Sequence, residues 1–349
     1  MKKRLISLAL ALVLALSLVL PALAAPTGYS DIPEGHWSAA DVMRATQLGF
    51  FQGVGSGKFG RGQPITRAAF VTALVRLFGW ETATPAAPTF RDVAADRWYY
   101  GAVETAYANG AFVATGDAFR PSESITREEM AVMLIRSLGY ASLAGAVSNL
   151  GSAFTDVTVS RGYITMAYDM GIINGIGDGK FNPNGSATRE QAAAVLMRTY
   201  DRLHAAPRRV DSAAGFTPIS VPTPEATLDT PIPTTPLEPI TELYIALRKA
   251  RAAGTDLSQT ALCLTAGGVR TVVANKRIAG SSPISAEEVE EILSRKQINL
   301  YYNTRYESAY CIYTANNYQT VTLWYQSGES LAAKLRLAAL FGVGQYVLS

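Results

Sequence analysis

One pattern occurs three times in the same order and at a nearly fixed period, and a chain built this way folds as neighbouring repeats that share a core. The third copy runs Phe154-Thr-Asp156, a helix-like stretch to Gly171, Gly175-Ile-Gly177-Asp178-Gly179-Lys-Phe181, then Ala187-Thr188-Arg189-Glu190. The first runs Tyr29-Ser-Asp31, His36-Trp37, Gly49, Gly53-Val-Gly55-Ser-Gly57-Lys-Phe59 and Ile65-Thr66-Arg67. The second runs Phe90-Arg-Asp92, Arg97-Trp98-Tyr99, Gly110, Thr115-Gly116-Asp117-Ala-Phe119 and Ile125-Thr126-Arg127-Glu128. Successive motif arginines stand 60 and then 62 residues apart.

Each copy reads as two helices joined by a loop. In the first helix Val42, Ala45 and Thr46 align with Val103, Ala106 and Tyr107 and with Ile164, Ala167 and Tyr168, an i, i+3, i+4 stripe. In the second, Phe70, Ala73, Leu74 and Phe78 align with Met130, Met133, Leu134 and Leu138 and with Ala192, Val195, Leu196 and Tyr200. The threonine before each motif arginine is a helix N-cap. Thr126 with Glu129 and Thr188 with Gln191 complete capping boxes, whereas Ala69 leaves the first repeat without one. Gly79 and Gly139 are C-terminal caps. An arginine at the first helical position opposes the macrodipole, so another interaction must favour it. Two readings stay open: a pocket in which the guanidinium and free first-turn amides hold an anion, or a salt bridge to the repeat's own Asp31, Asp92 or Asp156.

The first 24 residues differ from the rest. Lys2, Lys3 and Arg4 precede an apolar run from Leu5 to Leu20, then Pro21 and Ala22-Leu23-Ala24, the pattern of a cleaved secretory signal. The run is shorter than the roughly 20 residues that span a bilayer. Removing the leader takes away three of 31 basic residues and leaves 28 against 28 acidic ones, so charge points to neither nucleic acid nor an acidic membrane. No later stretch is long and apolar enough to cross a membrane. Cys263 and Cys311 lack metal spacing and are compatible with either a disulfide or buried free thiols. The segment Gly53 to Lys58 lacks phosphate-loop spacing, and Asp178 alone supplies too few carboxylates for calcium.

Eight of the 17 prolines lie between Pro207 and Pro239, which predicts an extended, semi-stiff spacer. Beyond it the pattern is mixed: helices over 241–252, 285–296 and 329–340, and strands over 261–264, 269–274, 298–302, 309–314, 319–325 and 345–348. The division expected is therefore a leader (1–24), three repeats (29–80, 90–140, 154–204), a Pro/Thr-rich linker (205–239) and a small α/β C-terminal domain (240–349).

At the repeated residues the chain resembles the S-layer homology family, whose repeats carry an F-x-D start, an H-W-A segment, a G-x-G-D-G-x-F-x-P loop and an I-T-R-A-E helix start. The likeness spans residues 29–204. It implies a mainly α, three-repeat helical spindle with one prong per repeat. It further implies a non-catalytic, cofactor-free module that holds an exported protein at the cell surface by binding secondary cell-wall polysaccharide, typically pyruvylated and attached to peptidoglycan. Carried over position by position, the polysaccharide-binding residues are Asp31, Asp92 and Asp156; Trp37 and Trp98, with Tyr163 in the third repeat; the loop glycines Gly53, Gly55, Gly175 and Gly177; and Arg67, Arg127 and Arg189. In the family the arginine is associated with the pyruvyl ketal. Trp37 and Trp98 read equally well as core anchors. The third repeat has Arg161-Gly162-Tyr163 in place of the tryptophan segment, the second has a shortened loop, and the first has Ser56 and Ala69 where the motif is acidic, so one or two of three grooves are expected to bind.

The ending Val321 to Ser327, Ser330 to Lys334 and Gly342 to Leu348 looks like the close of family 18 glycoside hydrolase barrels, but the D-x-x-D-x-E catalytic run is absent. Glu287, Glu288, Glu290 and Glu291 read as a solvated helix face. A degenerate sugar-binding remnant or an unrelated small domain are the readings of this tail. The alternatives for the whole chain are a wall glycoside hydrolase of family 18 type and a subunit of the surface lattice.

Overall fold

A computed structural model describes residues 28–228, 234–295, 298–315 and 319–349. The expected leader and the helix end at Lys296 lie outside them. The first repeat forms α1 (Ala39–Gln47) and α2 (Arg67–Phe78), and the second forms α3 (Tyr100–Ala108) and α4 (Arg127–Ser137). After a short α5 (Ala141–Ala146), the third forms α6 (Arg161–Asp169) and α7 (Arg189–His204). Val42, Val103, Ile164, Leu74, Leu134 and Leu196 of the apolar stripes are fully enclosed, whereas the stripe positions Tyr107 and Tyr168 of the first helices are exposed. Both expected capping boxes form, and Thr66 accepts only from the Ala69 amide.

Packing ignores the repeat boundaries. α2 lies on α3, α4 on α6, and α7 returns to α1. Each prong thus pairs the second helix of one repeat with the first helix of the next, which corrects the expectation of one prong per repeat. The cause is at the axis. The Ile65 amide donates to the Ala187 carbonyl (2.9 Å), Ala187 to Ile125 (3.0 Å) and Ile125 to Ile65 (2.9 Å), a closed ring of three peptide hydrogen bonds. Each second helix starts from this ring and therefore rises beside its neighbour's first helix.

Within a repeat, the F-x-D aspartate fastens the loop. The Asp31 carboxylate accepts from the amides of Phe59 (2.7 Å), Gly60 (2.7 Å) and Arg61 (2.8 Å). Asp92 accepts from Phe119 and Arg120, and Asp156 from Phe181 and Asn182. Burial opposes the charge on Asp31, but the amides outweigh it and hold this carboxyl below the ordinary 3.8. The amides of Phe181 and Asn182 lower Asp156 in the same way.

Beyond the repeats the described residues form two sheets, so the fold is mixed rather than mainly α: 35% of the described residues are helical and 19% are in strands. β1 (Arg208–Arg209), β2 (Thr217–Ser220), β3 (Thr260–Leu264) and β9 (Gln345–Leu348) make a parallel sheet in the order β1-β9-β3-β2. β4 (Gly268–Ala274), β5 (Arg277–Ile284), β6 (Asn299–Asn303), β7 (Ser308–Thr314) and β8 (Thr320–Tyr325) make an antiparallel sheet in the order β5-β4-β8-β7-β6. α9 (Ala286–Leu293) and α10 (Gly328–Phe341) complete this part, and Glu287, Glu288, Glu290 and Glu291 are exposed on α9. Cys263 lies in one sheet and Cys311 in the other, both as free thiols.

The stretch expected to be a spacer is built in. β1 and β2 come from it, and Ile219, Val221 and Leu237 are buried. The following α8 (Ile240–Ala252) buries Ile240, Leu243, Tyr244 and Leu247 in the same apolar core as the repeats. Composition misled because strand pairing is made by the backbone: Arg208 and Arg209 pair with Gln345 and Tyr346, and Thr217 to Ser220 with Thr260 to Cys263. Lys334 of α10 is fully buried, donating to the Leu237 carbonyl (3.0 Å) and Gln326 Oε1 (2.7 Å) beside Glu238 Oε2 (3.4 Å). Burial pulls its ammonium down to about 8 against the attraction of Glu238.

Two outcomes test these arrangements. Lys334→Met strands the Glu238 carboxylate and is expected to lower unfolding stability by about 3 kcal/mol in urea titrations; a loss under about 0.5 kcal/mol would mean that the pair holds nothing. Asp31 has a folded pKa below its unfolded one, so its contribution is complete above the unfolded value and disappears as pH falls through the folded value. Asp31→Asn is therefore expected to melt roughly 2–4 °C lower at pH 7, with the gap closing below about pH 4. A gap independent of pH contradicts the carboxylate–amide account.

Candidate functional site: the grooves between repeats

Each motif arginine leaves its own repeat. Arg67 Nε donates to the Phe119 carbonyl of the second repeat (2.9 Å), its guanidinium lies 4.9 Å from the Phe119 ring centroid, and Nη1 meets Glu129 at 2.5 Å. Arg127 repeats this on the third, with Nε on the Phe181 carbonyl (2.8 Å), Nη2 on Asn174 O (2.6 Å) and the Phe181 ring at 4.6 Å. Arg189 closes the cycle on the first, with Nε on the Phe59 carbonyl (2.8 Å), Nη2 on Gln52 O (2.8 Å) and the Phe59 ring at 5.0 Å. Burial lowers the pKa of all three, with Glu129 opposing the shift at Arg67.

The salt bridge to the repeat's own aspartate does not form, and an anion at the guanidinium would not meet the free first-turn amides expected beside it. The helix amides are occupied: Arg67 N and Ala68 N donate to the Glu123 and Pro121 carbonyls, Arg127 N and Glu128 N to Gly185 and Pro183, and Arg189 N to Gln63. The aspartates are engaged with loop amides instead of guanidinium groups. The positive helix ends therefore plug onto the next repeat's carbonyls. Among the described residues one amino group of each guanidinium stays without a partner: Nη2 of Arg67, and Nη1 of Arg127 and Arg189.

Arg67 opens onto a groove of about 270 Å³ shared with Val113, Arg120, Glu128, Arg136 and Ser160, which brings all three repeats to one place. Arg120 pairs with Glu129 (2.9 Å) and Glu123 (3.1 Å). Ser160 donates to Glu128 (2.8 Å), and Arg136 holds the Gly110 carbonyl (2.9 Å) with Tyr163 Oη at 3.5 Å. Val113 is an exposed apolar wall. Fixed guanidinium donors beside apolar surface suit an oxyanion carried on a saccharide ring.

The other expected site residues distribute unevenly. Trp37 and Trp98 are 56% and 67% exposed, so neither is a core anchor. Tyr163 sits half-buried at the rim beside Arg136. The loop glycines have local explanations. A side chain at Gly53 or Gly175 would strike the Tyr29 or Phe154 ring and the Lys58 or Lys180 carbonyl, while Gly55 and Gly177 take φ of 102° and 108° in the tight turns to Lys58 and Lys180. Asp31, Asp92 and Asp156 face their own loops.

Two sets of arginines escaped sequence reasoning. Arg76, Arg136 and Arg198 each stand nine residues after a motif arginine and bind the carbonyls that end their own repeat's first helix, Gly49 and Phe50, Gly110, and Ile172. That spacing was a readable signal. Arg120 was not legible, because its partner Glu129 belongs to the motif helix and the pairing needs the left-handed turn at φ 64°.

Residues 28–71, 89–131 and 153–193 match the S-layer homology domain family. An endoglucanase of Bacillus sp. (strain KSM-635) is 30% identical over 207 residues, 56% of this chain and 22% of that protein. A cell surface protein of Thermoanaerobacter kivui is 28% identical over 204 residues, 57% and 24% respectively. The surface-layer 125 kDa protein of Lysinibacillus sphaericus is 30% identical over 171 residues, 48% and 14%. The chain thus spans under a quarter of each of these relatives. Among solved structures, a family GH18 chitinase from Cycas revoluta overlaps 40% of this chain and 38% of that one at 21% identity and a TM-score of 0.28, a likeness too slight to carry an argument. The three motif copies, the helix pairs they form and the matched segments agree: this chain carries three S-layer homology domains, assembled into one closed ring.

Proposed function

We propose that the repeats anchor the chain non-covalently to the cell wall by binding an acidic secondary polysaccharide in the grooves between them. The observation that carries this reading is the groove at Arg67, where arginines of two repeats and Ser160 of the third converge around 270 Å³ beside exposed apolar surface. A pyruvyl ketal on a terminal sugar is a carboxylate of the size that a guanidinium edge grips. The exposed rings of Trp37 and Trp98 are free to stack on sugar faces. The surface-layer and cell-surface relatives support an exported, wall-associated location. The reading is non-catalytic, the α/β region being displayed at the wall by the ring it packs against.

Co-sedimentation of the mature chain with purified walls, before and after the secondary polysaccharide is stripped, tests it. Binding is expected on intact walls and lost on stripped ones; retention on stripped walls overturns the proposal. Trp98→Ala and Arg120→Ala, both at the surface, are each expected to weaken binding by roughly tenfold, about 1.4 kcal/mol, with melting temperature unchanged. Arg67→Ala is expected to lower binding and stability together, since it also unties Phe119.

A further inference from the structure

The docking of α8 on the third repeat creates a second basic cleft outside the grooves. It encloses about 550 Å³ between the loop at Gly151, the end of α6 and the last two turns of α8. Arg248 and Arg251, nearly one helical turn apart on α8, both line it. Arg248 is engaged: its Nε meets Asp169 Oδ2 at 3.0 Å and its Nη2 donates to the Gly151 carbonyl. Asp169 in turn also accepts from the buried Tyr244 hydroxyl at 2.5 Å. That carboxylate is therefore taken twice.

Arg251 has nothing comparable. Its guanidinium lies across Gly171, where an added Cβ would come within 2.4 Å of Nη2, and Gly171 holds φ at 69°. Among the described residues it makes no hydrogen bond and no ion pair. A position near the carbonyl end of α6 is favourable for a cation, yet no carbonyl there accepts from it. Arg202 of α7 deepens the imbalance. It also lacks a hydrogen-bonded partner among the described residues, and burial followed by the nearby charge of Arg251 lowers its pKa. Asp169 attracts Arg251 and Asp201 attracts Arg202 only at longer range, with no hydrogen bond or ion pair among the described residues, so both half-buried guanidinium groups keep donors for an added anion. Tyr168, 38% exposed, and the exposed Asn174 line the same cleft. They supply a ring face and an amide donor.

We propose that this cleft binds an anionic sugar, its carboxylate or phosphate gripped by Arg251, with Asn174 donating a hydrogen bond and Tyr168 against the ring. The site exists only in the docked arrangement, because two of its walls come from the third repeat and one from α8. It lies outside the grooves between repeats, so its test stands apart from the wall-binding reading.

The test is an NMR titration of the mature chain with glucuronic acid, glucose 6-phosphate and glucose. Saturable binding of at least one acidic sugar is expected and none of glucose, the preferred acid identifying carboxylate or phosphate as the group recognised. Arg251→Gln is expected to weaken that binding about tenfold, and Asn174→Ala severalfold, with melting temperature held. Trp98→Ala is expected to leave the titration unchanged while lowering wall binding. Failure of both acidic sugars to bind, equal binding of glucose, or an Arg251→Gln chain that binds as before overturns the proposal.

Discussion

The three peptide hydrogen bonds joining Ile65, Ile125 and Ala187 at the axis are the constraint on which the rest depends. They bring three helix N-termini to one point, each aimed at a neighbouring repeat. Such ends carry unsatisfied amides and partial positive charge. Here the neighbour's loop carbonyls absorb both, at Pro121 and Glu123, at Pro183 and Gly185, and at Gln63. The motif arginine, unfavourable against an isolated helix dipole, is then a further donor aimed at the same carbonyl-rich surface. Helix amides and guanidinium cooperate, and the apparent cost at the first helical position disappears.

The same closure explains why the C-terminal region is not free of the repeats. Tyr244 is fully enclosed, and a buried phenol needs a partner. Asp169, at the end of α6, supplies it and is itself held by Arg248. The apolar stripe of α8 joins the repeat core, and two short pieces of the chain before it, Arg208–Arg209 and Thr217–Ser220, pair into the parallel sheet, so a stretch expected to be a free spacer is tied down at intervals. Anchor and displayed region are one packed body.

What could be read from the sequence was local. The helix stripes, the capping boxes at Thr126 and Thr188 and the C-terminal caps at Gly79 and Gly139 depend on residues three or four apart, and all are present. The partners of the motif arginines lie 52, 54 and 130 residues away in sequence, and no periodicity points across a repeat boundary. β5 was missed because nearly all of it is exposed, with Ser281, Ser282 and Pro283 on an edge. Trp37 and Trp98 could not be placed by type, since aromatic rings serve cores and sugar sites alike.

The three junctions share a skeleton and differ in charge. The residue after each motif phenylalanine is left-handed in every repeat: Gly60, Arg120 and Asn182, at φ of 89°, 64° and 59°. Gly and Asn tolerate this conformation, whereas arginine pays roughly 1 kcal/mol for it. Two positions into the motif helix stand Ala69, Glu129 and Gln191, of which only Glu129 is charged. Glu129 contacts Arg67 and would neutralise it, but Arg120 holds the same carboxylate oxygen from the other side. Among the described residues, the strained arginine therefore accompanies the one junction at which a carboxylate contacts the motif arginine. Its strain has a local cause: Arg120 divides its amino groups between Glu123 and Glu129, which leaves Glu129 shared and the second amino group of Arg67 as a donor to the groove.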